Sequence, residues 1–159
     1  PSKTFNLAGL VGSYSVIYNP WLRDRYNKEQ SLSHFNAMNV MSMYALIGAY
    51  RPQGQEWLEE LKKVLTDHAD FACEFFADHF PGITFSRPQG TYMLFVDCTG
   101  WCESHGVTLD EILQRCWDVG AAVQDGRAFH GANSIRMNLA LPKPRLEEAF
   151  GRMAKYVFI

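Results

Sequence analysis

The sequence predicts an α/β chain: a mainly helical first part, then a long amphipathic helix leading into a short sheet covered by helices. Apolar residues recur at three- and four-residue steps through Leu58, Leu61, Leu65, Ala69, Ala72 and Phe76, the signature of one buried helical face. Beyond Pro81-Gly82, short β-branched and aromatic runs alternate with helical patterns, the mark of a sheet with helices packed on it. With 159 residues, 47% hydrophobic and 20% charged, the chain can bury a core and lies far from a disordered composition.

In chain order, Val11–Tyr18 is rich in aromatic and β-branched residues and is stopped by Asn19-Pro20, which predicts a strand. Pro20 suits the first turn of a helix. Trp21, Leu22 and Tyr26, then the run Ala37–Tyr50, carry apolar residues at helical spacing with a break near Ser31–Ser33. Arg51-Pro52-Gln53-Gly54 reads as a breaker cluster that ends this part near residue 50. The long helix follows and stops before Pro81. Ile83–Phe85 and Thr91–Asp97 are predicted strands separated by a Pro-Gln-Gly turn, and Thr108-Leu109-Asp110-Glu111 has the spacing of a capping box before Ile112, Leu113 and Cys116. Ala121–Val123 leads into a polar Gly-containing loop, Gln124 to Asn133, and Ser134–Leu141 reads as a strand. A terminal helix from Lys143 to Tyr156 places Leu146, Ala149, Phe150 and Met153 on one face.

A formal charge of −2 gives no basic footprint for nucleic acid or an anionic membrane, so neither is an expected partner. No apolar run reaches the roughly 18 to 20 residues that span a bilayer. Four irregularly spaced cysteines form no disulfide framework and are read as reduced thiols, with a cytoplasmic location as the expectation. The chain opens Pro-Ser-Lys-Thr without an initiator Met, which is read as a piece of something longer.

Taken singly, few residues declare a chemistry. Lys3 reads as a solvated charge and Arg136 as an ion-paired strand residue. Cys98-Thr99-Gly100-Trp101-Cys102 with His105 has thiol and imidazole ligands that zinc prefers, but a Cys-x3-Cys without a second pair is a weak signal, and no metal site is assigned. His34, His68, His79 and His130 are scattered; Phe71, Phe75, Phe76 and Phe80 read as core, and Asp125-Gly126 as a turn.

Ser2-Lys3-Thr4-Phe5-Asn6-Leu7-Ala8-Gly9-Leu10, however, resembles over nine consecutive positions the active-site lysine motif of pyridoxal 5'-phosphate (PLP)-dependent fold-type I enzymes. Within the class I/II aminotransferase superfamily it is most similar to the cystathionine β-lyase-like C–S lyase branch. The similarity continues in order: His34-Phe35-Asn36-Ala37 at a helix start, Gly54 with Glu56-Trp57-Leu58 in the long interdomain helix, and Gly90-Thr91-Tyr92 with Val96-Asp97 in the first strand pair of the small domain. Asp125-Gly126 with Phe129, and Ile135-Arg136-Met137-Asn138-Leu139-Ala140 before Leu146-Glu147-Glu148-Ala149, resemble that family's C-terminal end.

The resemblance implies a division in which residues 1–50 are the C-terminal part of the PLP-binding large domain and residues 51–159 are the interdomain helix and small α/β domain. It implies PLP as cofactor, held by Lys3 with Ser2 beside it, and Lys3 as the catalytic base, because only a primary amine forms an imine with the cofactor aldehyde. Arg136 corresponds to the arginine that grips the substrate α-carboxylate through two parallel hydrogen bonds. His130 falls in a loop that faces the active site in the family. The implied activity is α,β-elimination from sulfur amino acids to pyruvate, ammonia and a thiol, in a homodimeric full-length enzyme; transamination is the alternative. Val11 stands where many fold-type I enzymes have a phosphate-binding arginine, which favours the lyase branch mildly. The family's other cofactor ligands precede the lysine, so this chain by itself is expected to bind PLP weakly and to be inactive. A reading of another class, a stand-alone non-catalytic interaction module, requires a chain without an exposed apolar seam.

Overall fold

The computed structural model describes residues 1–33 and 37–159, so the His34-Phe35-Asn36 match lies outside the described residues. The chain forms two compact units, Pro1–Leu61 and Lys62–Ile159.

In the first unit the opening turn is closed by backbone hydrogen bonds from Phe5 to Pro1 (3.0 Å) and from Leu7 to Ser2 (3.0 Å), and a 3-10 turn follows at Ala8–Leu10. The expected strand at Val11–Tyr18 is not formed. A strand is stable only when a neighbour takes up its N–H and C=O groups, and no described strand pairs with this segment, whose Val11, Tyr14, Val16 and Tyr18 are exposed. Helix α1, Pro20–Ser33, begins where Asn19 Oδ1 accepts from the Leu22 N–H at 3.1 Å, with Pro20 in the first position where its missing N–H costs nothing. Helix α2, Val40–Ala49, is capped the same way by Asn39, which accepts from the Ser42 N–H at 2.8 Å. Helix α3, Pro52–His79, starts almost at once. The Arg51–Gly54 cluster thus separates α2, which ends at Ala49, from α3, which opens with Pro52 in a first-turn position.

Phe5 ties the opening turn to the helices that follow: its ring lies 5.5 Å from Tyr50 and 6.1 Å from Trp57. Ser42 is the one buried side chain among the described residues of this unit. Tyr18, Trp21, Leu32, Val40, Met41 and Tyr44 are exposed, which makes an apolar seam of the kind a self-sufficient module lacks.

The second unit is a four-stranded antiparallel sheet with helices on one face. After α3 come β1 (Thr84–Phe85), β2 (Met93–Asp97), α4 (Thr99–His105), α5 (Leu109–Asp118), β3 (Gln124–Asp125), a 3-10 turn (Gly126–Phe129), β4 (Ser134–Asn138) and α6 (Lys143–Tyr156). The strands lie in the order β1-β2-β4-β3. Alternation decides which residues enter the core: Leu94 and Val96 from β2, and Ile135, Met137 and Leu139 from β4 and its end, are buried against α3, α5 and α6. Phe76, Phe80 and Phe150 meet edge to face at the centre, with Phe76–Phe80 centroids 4.8 Å apart and Phe76–Phe150 5.2 Å. The capping box at Thr108 and Glu111 is present with both bonds made, and α6 occupies the residues its periodicity predicts. Ala121 and Val123 are buried but form a local turn, Val123 N–H to Ala121 O at 2.8 Å, so the chain enters the sheet later, at Gln124. Helix α4 was not expected; Asp97 Oδ1 accepts from the Thr99 N–H at 2.7 Å at its start, and Gly106 in the left-handed region ends it.

Truncating the core centre should cost far more than removing the best cap. Phe76→Ala is expected to lower unfolding free energy by about 3 to 5 kcal/mol, and Thr108→Ala by about 1 kcal/mol, as read from denaturant titration followed by far-UV circular dichroism.

Candidate active site

Lys3 sits at the exposed tip of the opening turn, and Ser2 beside it is half-buried. The turn is held from behind by the Pro1–Phe5 and Ser2–Leu7 bonds and by Phe5 among the aromatic rings, so the backbone under Lys3 is anchored while its side chain is free. Among the described residues the Lys3 ammonium has neither an acid nor an acceptor as partner. An accessible, unneutralised primary amine on a fixed turn is what an aldehyde-bearing cofactor requires, so the residue fits PLP.

Arg136 lies in the second unit, in the middle of β4. Its neighbours Ile135 and Met137 point into the core, so Arg136 points to the opposite, helix-free face of the sheet, where it is half-buried. The register places Phe95 of β2 and Gln124 of β3 directly beside it, and the three side chains form one row across that face. Arg136 Nη1 donates to Gln124 Oε1 at 2.9 Å, and the guanidinium carbon stands 4.4 Å from the centre of the Phe129 ring. A cation over an aromatic face is attracted by the ring quadrupole. Its N–H groups on Nε and Nη2 have no acceptor among the described residues. They form the side-on fork that matches a carboxylate.

The loop that brings Phe129 under Arg136 depends on close approach at two glycines. A Cβ on Gly126 would fall 2.3 Å from the Ser134 carbonyl oxygen, and one on Gly131 would fall 2.6 Å from Phe95 Cζ, so only glycine lets the loop lie on the sheet. Asp125 stiffens the same loop: its Oδ1 accepts from the Arg127 N–H at 2.8 Å, and both its oxygens accept from Arg127 Nε. Arg127 also bridges to Asp110 in the first turn of α5. Asp125-Gly126 is therefore a structural turn, and the exposed His130 occupies a left-handed position in its loop without a carboxylate or hydroxyl beside it among the described residues.

The remaining sequence candidates are structural. His68 is buried and its Nδ1 lies 2.9 Å from the Leu139 carbonyl oxygen, tying α3 to the end of β4, while His79 stacks on Phe75 with centroids 4.0 Å apart. Cys98 and Cys102 are buried, His105 stacks on Trp101 at 3.8 Å, and burial pushes the Cys98 and Cys116 thiols up to about 12, where they remain protonated. No cluster of metal-ligating side chains occurs among the described residues. The side chains that sequence reading did not single out are Gln124 and Phe95, whose places beside Arg136 follow from strand register alone.

Lys3 is thus an exposed amine on an anchored turn of the first unit, and Arg136 is a half-buried guanidinium beside Phe129 in the second. Residues 1–153 match the model of the family "Aminotransferase class I and II", and the chain belongs to that family. It is 28% identical to protein MalY of Escherichia coli over 153 residues, covering 92% of this chain and 37% of MalY. It is 24% identical to cystathionine beta-lyase PatB of Bacillus subtilis, covering 96% of this chain and 39% of PatB. Among solved structures, cystalysin from Treponema denticola, which contains a pyridoxal 5'-phosphate cofactor, superposes with a TM-score of 0.83 at 26% identity, over 98% of this chain and 39% of cystalysin. The chain thus spans about two fifths of the length of the relatives it matches.

The loop beneath Arg136 should be sensitive to acid. Hydrogen bonds from Arg127 hold the Asp125 carboxyl below its ordinary value of 3.8. A depressed folded value means that the pairing contributes stability above the ordinary range and that this contribution is lost as pH falls through the folded value. The Arg127 amide resonance is expected to stay constant from neutrality to about pH 4, then to shift and broaden on further acidification. Asp125→Asn should remove that step.

Proposed function

We propose that the whole protein of which this chain forms the C-terminal portion is a PLP-dependent C–S β-lyase. In this reading residues 1–50 complete the large domain, and residues 51–159 are the interdomain helix and the small domain. The observation that carries it is the unpaired fork of Arg136, held by Gln124 and Phe129 on an open face, in a chain whose opening turn presents Lys3 without a neutralising partner. The likeness to cystathionine beta-lyase PatB along 96% of this chain supports the lyase branch over the wider aminotransferase family.

The residues divide the work. PLP, when bound, supplies an aldehyde that takes up amines and a ring that absorbs the electron pair left at Cα. Lys3 Nζ holds the cofactor at rest, with the Ser2 hydroxyl beside it, and as a free amine removes the proton from the substrate Cα. Arg136 takes the α-carboxylate through Nε and Nη2, which fixes the Cα–H bond in one orientation. Electrons from the broken Cα–H bond form the Cα–Cβ double bond as thiolate leaves Cβ, and addition of one water releases pyruvate and ammonia. Transamination would need the same lysine and arginine but no leaving group on Cβ.

The exposed Tyr18, Trp21, Leu32, Met41 and Tyr44 support burial against further protein in the whole enzyme, including a second copy as a homodimer; a cytoplasmic setting is part of the same proposal. No helix among the described residues is long and apolar enough to cross a membrane.

In the whole protein loaded with PLP, Lys3→Ala is expected to abolish thiol release from L-cystathionine. Arg136→Ala should lower kcat/KM by about a hundredfold or more, and Arg136→Lys should restore little of it, since an ammonium cannot reproduce the two-pronged contact. Steady-state thiol detection checks both; retention of wild-type turnover by Lys3→Ala would sink the reading.

A further inference from the structure

Gln124 makes the only hydrogen bond that the Arg136 guanidinium has among the described residues, and it does so with a neutral oxygen. We propose that Gln124 is a positioning residue for carboxylate recognition, tethering Arg136 through Nη1 without neutralising it, so that Nε and Nη2 stay both aligned and charged for an α-carboxylate. This rests on the reading of Arg136 as the carboxylate-binding residue.

Three observations converge. Gln124 stands directly opposite Arg136 in the β3–β4 register, so backbone pairing sets the two side chains beside each other. Phe129 lies 4.4 Å from the guanidinium carbon, and the 2.9 Å bond to Gln124 Oε1 holds Nη1 from a second side. Together they hold the guanidinium at two points. The second cation of the same loop shows the alternative: Arg127 is paired with both Asp125 and Asp110, and two carboxylates leave it no charge to offer a ligand. A glutamate at position 124 would keep the length and the acceptor oxygen but would do to Arg136 what the aspartates do to Arg127. The amide is therefore the group that orients without competing.

The test compares Gln124→Ala, which loses the tether, with Gln124→Glu, which keeps the acceptor and adds a charge. In the whole PLP-loaded enzyme, thiol release from S-ethyl-L-cysteine is compared with release from its α-carboxamide, which lacks the carboxylate. Both variants should raise KM for the acid by about tenfold or more, with kcat changed far less. Neither should alter kcat/KM for the carboxamide. Equal losses on acid and amide would mark a general structural defect and overturn the proposal, as would a Gln124→Glu enzyme with the wild-type KM for the acid. Arg136→Ala runs in parallel. If it leaves the preference for acid over carboxamide intact, the carboxylate role of Arg136 fails and takes this proposal with it; if that preference is lost while both Gln124 variants retain it, only the role of Gln124 fails.

Discussion

Strand alternation in β4 is the constraint on which the rest of the second unit depends. Ile135, Met137 and Leu139 are drawn into a core shared with α3, α5 and α6, and that burial obliges Arg136 to emerge on the helix-free face. A slip of one residue would exchange these sets and drive a guanidinium into the core, at a cost of several kcal/mol for a desolvated charge. Core packing thus sets the position of a polar side chain that makes no contribution to the core. Its neighbours follow from the same register, with Phe95 on one side and Gln124 on the other.

The two arginines near this face illustrate how environment assigns roles to identical side chains. Arg127 meets two carboxylates and acts as a clamp between the 3-10 turn and α5, which raises its proton affinity further above the ordinary arginine range. Arg136 meets an amide and an aromatic ring, partners that hold it in place and leave its charge uncompensated. Charge pairs as exposed as those of Arg127 stabilise little, so their value lies in fixing the loop that carries Phe129. In the first unit the turn beneath Lys3 is anchored by backbone bonds and the Phe5 ring, and the amine it presents has no acid beside it.

The sequence conveyed more of the second unit than of the first, for a physical reason. Where a segment buries its own apolar face, as α3 and α6 do, periodicity reports the fold directly, and the Thr108 capping box is a local interaction within four residues. Val11–Tyr18 has strand composition but no strand partner among the described residues, so its propensity has nothing to act on. Helix α4 escaped notice because Cys98, Trp101 and Cys102 read as scattered thiols and an aromatic when their helical spacing was the relevant signal. For the site, Lys3 and Arg136 stood out through motif resemblance, whereas Gln124, twelve residues before Arg136, became visible only when the β3–β4 pairing brought the two together.

The central claim is that Lys3 is the amine that carries the cofactor. Borohydride reduction of the whole PLP-loaded protein, followed by proteolysis and mass spectrometry, tests it most directly. The account predicts a pyridoxyl-phosphate adduct on the peptide containing Lys3 and on no other lysine. An adduct confined to a different lysine, or a protein that binds PLP and yields no adduct at Lys3, would contradict it.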